Sequence, residues 1–425
     1  MLEHVIDRAR SLDPEGIHVV IGHGGDAVRA ALDDRDLEWH EQAEQLGTGH
    51  AVAQALPAIP DDHEVLVLCG DVPLITVPAL EALVSAGEGS TLSLLTAELA
   101  EPTGYGRILR GIDDGVVGIV EEADATEEQR RITEINTGLM SGSAAQLREW
   151  IGRLDKGNAQ GEYYLTDIVA HAVEDGVPVI GVTIDDAGEA LGINDKLQLA
   201  LAERTVQRRI AEELMLAGAS IADPARLDVR GELALGSDVF IDVNVVFIGN
   251  VVVGDGCRIG PNVVIKDSRI GDRTVINPNS VIEDSEIGRN CSIGPFARVR
   301  PATQLADRVK IGNFVETKKS EIGEGSKVSH LSYVGDSIVG TDVNIGAGTI
   351  TCNYDGANKY VTRIGDNVFV GSGAILVAPI DIGAGAFVGA GSTLTKDAPA
   401  GELSIARSRQ TSVSGWKRPA KKPSK

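Results

Sequence analysis

From about Leu227 to Leu394, aliphatic side chains recur every six residues, a period that neither an α-helix nor an isolated strand can use. The series runs through Val229, Leu235, Ile241, Phe247, Val253, Ile259 and Ile265. After a one-residue slip it continues at Ile270, Ile276 and Ile282, then at Ile287, Ile293, Val299, Leu305 and Ile311. It returns at Ile364, Val370, Leu376, Ile382, Val388 and Leu394. Period six predicts a triangular parallel β-helix, with one short strand on each side and a tight turn at each corner. The aliphatic residue of each strand points inward, and Gly, Asn or Asp is expected where the corner needs unusual backbone angles.

Composition agrees with a narrow aliphatic interior: 43% of the residues are hydrophobic, only 4% are aromatic, and 50 are glycine. A length of 425 residues suggests more than one folding unit. The formal charge of −23 argues against a general nucleic-acid surface, so anionic small substrates would need local Arg and Lys clusters or a metal. The four cysteines, Cys69, Cys257, Cys291 and Cys352, form no C-x-x-C pair, and two are read as small buried thiols in repeat strands. This usage suggests a reduced, cytoplasmic protein. No apolar run is long enough to span a membrane, and the opening residues do not read as a signal peptide.

The first half alternates strand-like runs (Ile17 to Ile21, Val65 to Leu68, Leu92 to Leu95, Val179 to Val182) with helical stretches such as Asp26 to Leu32 and Gln146 to Leu154. That alternation predicts an open α/β sheet with ligands at the strand C-terminal ends. Asp185 to Glu189 reads as a loop, and Asn194 to Ala217 as a helix that either links two domains or covers the end of the β-helix. Trp416 to Lys425, rich in Pro and Lys, reads as a flexible tail.

Six segments carry a specific resemblance. They are Gln-Ala-Glu-Gln-Leu-Gly-Thr-Gly-His-Ala (42–51), Gly-Asp-Val-Pro-Leu (70–74), Pro-Thr-Gly-Tyr-Gly-Arg (102–107), Glu-Ile-Asn-Thr-Gly (134–138), Gln-Gly-Glu-Tyr-Tyr-Leu-Thr-Asp (160–167) and Ile-Gly-Ala-Gly-Thr-Ile-Thr-Cys-Asn-Tyr-Asp-Gly (345–356). In this order they resemble the bacterial bifunctional N-acetylglucosamine-1-phosphate uridylyltransferase / glucosamine-1-phosphate acetyltransferase family. The resemblance implies a Rossmann-like nucleotidyltransferase domain over 1–193, a linker helix over 194–218, a left-handed parallel β-helix over 219–410 and a basic tail over 411–425. The hand comes from the resemblance, because the period alone does not fix it. The family's first domain opens with a strand, a Gly-rich L-A-A-G-x-G-T-R-M type loop and a downstream Pro-Lys. The present sequence starts on what resembles the following helix. An N-terminally incomplete domain is therefore expected, with poor UTP binding: either the true start lies upstream, or the chain is an acetyltransferase with an inactive partner half.

In the first domain, Asp71 follows a strand and could be a turn or helix-capping residue. The resemblance makes it a Mg²⁺ ligand, with Asn194 as the second. Gln42, Gly47 and Thr48 resemble a uracil-reading segment, and Cys69, Gly70, Gly106, Glu121 and Asn136 resemble contacts to UDP-N-acetylglucosamine. In the repeat domain the single histidine, His330, could be structural; the resemblance makes it the general base on the 2-amino group of glucosamine 1-phosphate. Arg300, Lys318, Tyr333 and Asn344 resemble the sugar-phosphate contacts, although charged corners are common on any solenoid. Ala347, Asn353, Tyr354, Ser372, Ala390 and Arg407 resemble the acetyl-CoA groove, with Asn353-Tyr354 in an insertion that protrudes from one face. Acetyl-CoA and UTP are the implied co-substrates, N-acetylglucosamine 1-phosphate is the uridylyl acceptor, and a homotrimer is the implied assembly. Three other readings compete with this one. A zinc anhydrase would need about three His ligands, which one solenoid histidine does not supply. A non-catalytic scaffold would not need the paired nucleotide-sugar domain, and a single-activity nucleotidyltransferase would carry fewer repeats.

Overall fold

The computed structural model describes residues 1–32 and 36–419. It divides into two compact units, Met1–Ala202 and Glu203–Lys425. The division falls inside a single helix.

The first unit contains α1 (Leu2–Arg10), β1 (His18–Ile21), α2 (Gly25–Ala31), β2 (Glu38–Glu41), α3 (Thr48–Ala55), β3 (Glu64–Val67) and α4 (Val77–Gly87). These are followed by β4 (Leu92–Glu98), β5 (Arg107–Arg110), β6 (Val116–Val120), β7 (Glu134–Ser143), α5 (Ala144–Gly152), α6 (Ile168–Glu174) and β8 (Val179–Ile184). Each strand and helix expected from the sequence is present within a few residues of its expected bounds. The sheet is mixed rather than wholly parallel: its order is β6-β5-β7-β4-β8, with β3 also pairing β7. Strand β7 runs antiparallel to β3, β4 and β5, whereas β4 and β8 are parallel. Ten residues long, β7 spans enough ladder to pair with all three of these strands. Strands β1 and β2 form a separate parallel pair. Helix α4 closes one side of the sheet by burying Leu80 and Leu83 against Leu95 and Leu139. Asp185 to Glu189, read as a loop, in part forms a short 3₁₀ turn (Ala187–Ala190), because the Asp186 side chain accepts the Gly188 N–H at its start.

The helix at the division is α7 (Lys196–Leu216). Its C-terminal half lies on the first coil of the second unit. The Gln207 amide acts as a strand substitute there: its Nε2 donates to Val229 O at 2.8 Å and its Oε1 accepts from Val229 N at 2.7 Å. An otherwise open strand edge is thereby satisfied, and of the two roles expected for this helix, covering the coil end is visible.

The remainder is a parallel β-helix. One inward column stacks Ile259, Ile276, Ile293, Ile311, Val328, Ile345, Val370 and Val388 in register. A second stacks Phe247, Ile265, Ile282 and Val299, and a third Val253, Ile270, Ile287, Leu305, Ile322, Val339, Ile364 and Ile382. Every member of the six-residue series is buried except Leu235, which is half-buried. Burying each such side chain contributes roughly 1.5–3 kcal/mol. Corner chemistry is broader than expected. Asn and Asp do occupy left-handed corners, as at Asn262 and Asn279, but so do Arg273, Phe296, Ala302, Phe314 and Leu331. The αL penalty of roughly 1–2 kcal/mol is accepted there. Phe296 and Phe314, for example, stack on consecutive coils at 5.2 Å. Among the described residues no helix is long and apolar enough to cross a membrane, and the four cysteines are unpaired. Cys257 and Cys291 are buried one residue ahead of their strands rather than within them. The tail expected over 411–425 is without regular structure as far as residue 419, and its last six residues lie outside the described range.

Candidate functional site

In the first unit, Cys69, Gly70 and Asp71 follow β3, Glu121 follows β6, Gly106 precedes β5, Asn136 lies near the start of β7, Gln42 follows β2, Gly47 and Thr48 open α3, and Asn194 precedes the helix beginning at Lys196. The turn after β3 carries Cys69, Gly70 and Asp71, closed by a Val72 N–H to Cys69 O bond of 3.2 Å. Asp71 and Asn194 converge on Gly192: a Cβ there would stand 3.4 Å from Asp71 Oδ2 and 3.9 Å from Asn194 Nδ2. The Ile193 N–H donates to Asp71 O at 3.0 Å, which ties the two segments together. Burial, and then the Asp71 charge, push the Cys69 thiol up to about 11, so it is a neutral packing group. Burial also raises Tyr105, which is hydrogen-bonded to the Gly192 backbone.

Gly106 bonds through its carbonyl to the Asn136 N–H at 2.8 Å. A Cβ on Gly106 would stand 3.0 Å from Ile119 Cγ2 and 3.3 Å from Glu121 Oε2, so a larger residue would crowd that carboxylate. Burial raises the pKa of Glu121, although its Oε1 accepts the Thr166 hydroxyl at 2.9 Å. Gly47 is the position where glycine is required: φ is +112°, and a Cβ would meet Tyr163 O at 2.6 Å. The Gln42 amide nitrogen donates to Gly47 O at 3.0 Å and lies 3.1 Å from His50 Nδ1. Its amide nitrogen is thus committed within the protein. The Thr48 hydroxyl likewise accepts the Leu165 N–H at 3.0 Å.

In the second unit, His330 ends a strand (Lys327–His330) and turns through Leu331 at φ +51° into the strand Tyr333–Gly335. Its Nδ1 lies 2.5 Å from Asn313 Oδ1, its register partner on the preceding coil. A carbonyl oxygen accepts, so Nδ1 carries the proton and the exposed ring presents a basic Nε2. Asn313 was not singled out in the sequence; its pairing with His330 depends on an offset of 17 residues between coils. Above His330 the small residues form a column. Gly348 N bonds His330 O, Gly373 N bonds Ala347 O, Gly391 N bonds Ser372 O, and Arg407 Nη1 donates to Ala390 O at 2.6 Å. Ala347, Ser372, Ala390 and Arg407 therefore line up along one corner leading away from the imidazole.

Around the bend are the polar groups. Arg300 Nη1 donates to Glu316 Oε1 at 2.6 Å, and Glu316 is the register partner of Tyr333. Asn353 Nδ2 lies 3.3 Å from Tyr333 Oη and 2.5 Å from Asp336 Oδ2. The insertion folds back on itself through a Tyr354–Lys359 bridge, leaving Tyr354 exposed. This return brings Lys359 to Lys318. Lys359, then burial and Arg300, lower the Lys318 pKa, with Asp336 opposing. Lys318, Lys359 and Arg300 thus form a cluster of three cations, of which Arg300 is paired with Glu316. Lys359 was also missed in the sequence, since nothing in the insertion's composition says how it returns. Asn344 is not brought to this cluster by any contact among the described residues; it stacks between Lys327 and Phe369 on the other sheet.

Family models match three stretches: a MobA-like NTP transferase domain over residues 1–134, the GMPPB C-terminal domain over 229–315, and the bacterial transferase hexapeptide (six repeats) over 362–396. Curated relatives match across both units. A bifunctional protein GlmU of Alkalilimnicola ehrlichii is 56% identical over 100% of this chain and 91% of its own length. Those of Marinobacter nauticus and Aromatoleum aromaticum are each 56% identical over 99% of this chain and 93% of their own.

Proposed function

The chain belongs to the GlmU family of bifunctional proteins, and from that premise we propose how its residues divide the work. It is a glucosamine-1-phosphate acetyltransferase and an N-acetylglucosamine-1-phosphate uridylyltransferase, using acetyl-CoA and UTP. Relatives matched over the whole chain are bifunctional, which supports uridylyl transfer beside acetyl transfer, against the poor UTP use expected from the chain's opening.

For acetyl transfer, the observation that carries the reading is the His330–Asn313 pair at the foot of the small-residue column. Asn313 holds the ring in the tautomer whose Nε2 accepts a proton. The 2-amino group attacks the thioester carbonyl, its proton passes to Nε2, and the coenzyme leaves as thiol after taking a proton back. Such base help contributes roughly 10²–10⁴-fold. Arg300, Lys318 and Lys359 bind the sugar phosphate, which relieves the mutual repulsion of the lysines. Tyr333 and Asn353 contact the sugar end; the pantetheine arm lies along Ala347, Ser372 and Ala390, with Tyr354 beside it and Arg407 meeting a coenzyme phosphate. Asn344 then serves a copy of the site completed by a neighbouring chain. The exposed corner column of Phe296, Phe314 and Leu331 supports a homotrimer.

For uridylyl transfer, a phosphate oxygen of N-acetylglucosamine 1-phosphate attacks the α-phosphorus of UTP and pyrophosphate leaves. The carboxylate of Asp71 and the amide of Asn194 are hard oxygen donors suited to Mg²⁺, which supplies charge neutralisation on the phosphates when bound. Gly47 and Thr48 shape the uracil loop around Gln42, while Glu121 and Asn136 bind sugar hydroxyls beside Gly106. The unpaired thiols support a cytoplasmic location. Measuring both reactions on His330→Ala and Asp71→Asn tests the division: each variant loses one activity and keeps the other. Acetyl transfer at full rate in His330→Ala would overturn the base.

A further inference from the structure

Strands β1 and β2 carry a cluster that neither reaction uses. In their parallel register His18 faces Glu38, and Val20 faces His40. Residues two apart on a strand share a face, so Glu38 and His40 stand on one side. Val19 and Trp39, between them in the register, turn the other way into the apolar cluster with Ile6 and Leu32. That core fixes the register, and a one-residue slip would scatter the cluster.

His18 Nδ1 lies 2.9 Å from His40 Nε2 and 3.5 Å from Glu38 Oε2. One donor atom from each residue falls within 4.8 Å of the others. In a four-coordinate zinc site, bonds of about 2.0–2.2 Å place neighbouring ligand atoms about 3.3 Å apart. The observed separations bracket that value, so small side-chain rotations suffice to close around an ion.

We infer that His18, Glu38 and His40 form a binding site for a zinc-class divalent transition metal, with water completing the coordination. Two imidazoles and one carboxylate suit Zn²⁺ and its neighbours in the first-row series; Mg²⁺ and Ca²⁺ prefer all-oxygen shells. A bound ion clips β1 to β2, with His40 two residues before the Gln42 N–H to Ile21 O bond of 2.8 Å that ends their ladder. The competing account is a plain imidazole–imidazole hydrogen bond.

The test is titration of the metal-stripped full chain with Zn²⁺ against a chromophoric chelator, repeated with Co²⁺ to read its visible d–d absorption. We expect one ion per chain with the intense band of a four-coordinate, imidazole-ligated Co²⁺, a higher melting temperature with Zn²⁺, and the same binding in Asp71→Asn. Binding should weaken at least about tenfold in Glu38→Gln and disappear in His18→Gln/His40→Gln. Glu38 is exposed, so its variant reads ligand loss even if the double variant folds poorly, which circular dichroism without metal would reveal. No saturable binding, or equal affinity in the wild type and Glu38→Gln, overturns the site and leaves the hydrogen bond.

Discussion

The two units build their sites by different routes. In the α/β unit, Asp71, Gly106, Glu121 and Asn194 come from loops and Asn136 from strand β7, more than a hundred residues apart at the extremes, on the elements of a mixed sheet. In the β-helix, the coil offset does the gathering: Asn313 meets His330 and Glu316 meets Tyr333, each 17 residues on. A loop-built site depends on the whole sheet, whereas a coil-built site depends mainly on its neighbouring coils. The first route allows varied chemistry on one face. The second fixes a straight groove, such as the Ala347 to Arg407 column, at little cost in additional structure.

The sharpest way to break this comparison is His330→Ala. Acetyl transfer should fall roughly 10²–10⁴-fold while uridylyl transfer is unchanged, measured on one preparation. Asp71→Asn should do the reverse, lowering uridylyl transfer by about 10²-fold, since metal charge stabilisation is worth several kcal/mol. Loss of both activities in either variant would mean that the units do not act separately.

Stability should separate the units next. Glu134 is nearly buried and takes two bonds of 2.7 Å from Arg110. Burial alone would raise its pKa, but the Arg110 pair together with the Thr96 hydroxyl outweighs it and the net direction is down. A folded carboxyl below its unfolded value contributes stability that is present above about pH 4–5 and lost as pH falls through the folded pKa. Glu134→Gln should therefore cost about 1.5–3 kcal/mol at neutral pH, and less as the solution is acidified. Melting followed in each unit should show the change in the α/β unit alone.

The smallest effect is expected at Asn313. Losing its hydrogen bond in Asn313→Ala should slow acetyl transfer by up to about tenfold, equivalent to about 0.5–1.5 kcal/mol. Asn313→Asp should keep the ring oriented but favour the protonated imidazole, moving the acid limb of the kcat/KM profile to higher pH. A purely structural role for Asn313 would leave that limb in place.

Much was legible in the sequence because a β-helix repeats one physical requirement at each coil. A buried aliphatic every six residues fixes fold, register and inward face, and nearly all of those residues are in the core. The strands and helices of the first unit were legible for a similar local reason. Tertiary structure decided what local periodicity cannot encode. It set the antiparallel course of β7. It chose Asn313 as the partner that fixes the His330 tautomer, and it returned the insertion so that Lys359 meets Lys318. It also left Asn344 away from the polar cluster and brought His18, Glu38 and His40 within reach of one ion. The physical reason is common to these cases. Hydrophobic burial acts on every residue and writes a period into the chain, whereas a polar contact joins two distant residues and leaves no periodic trace.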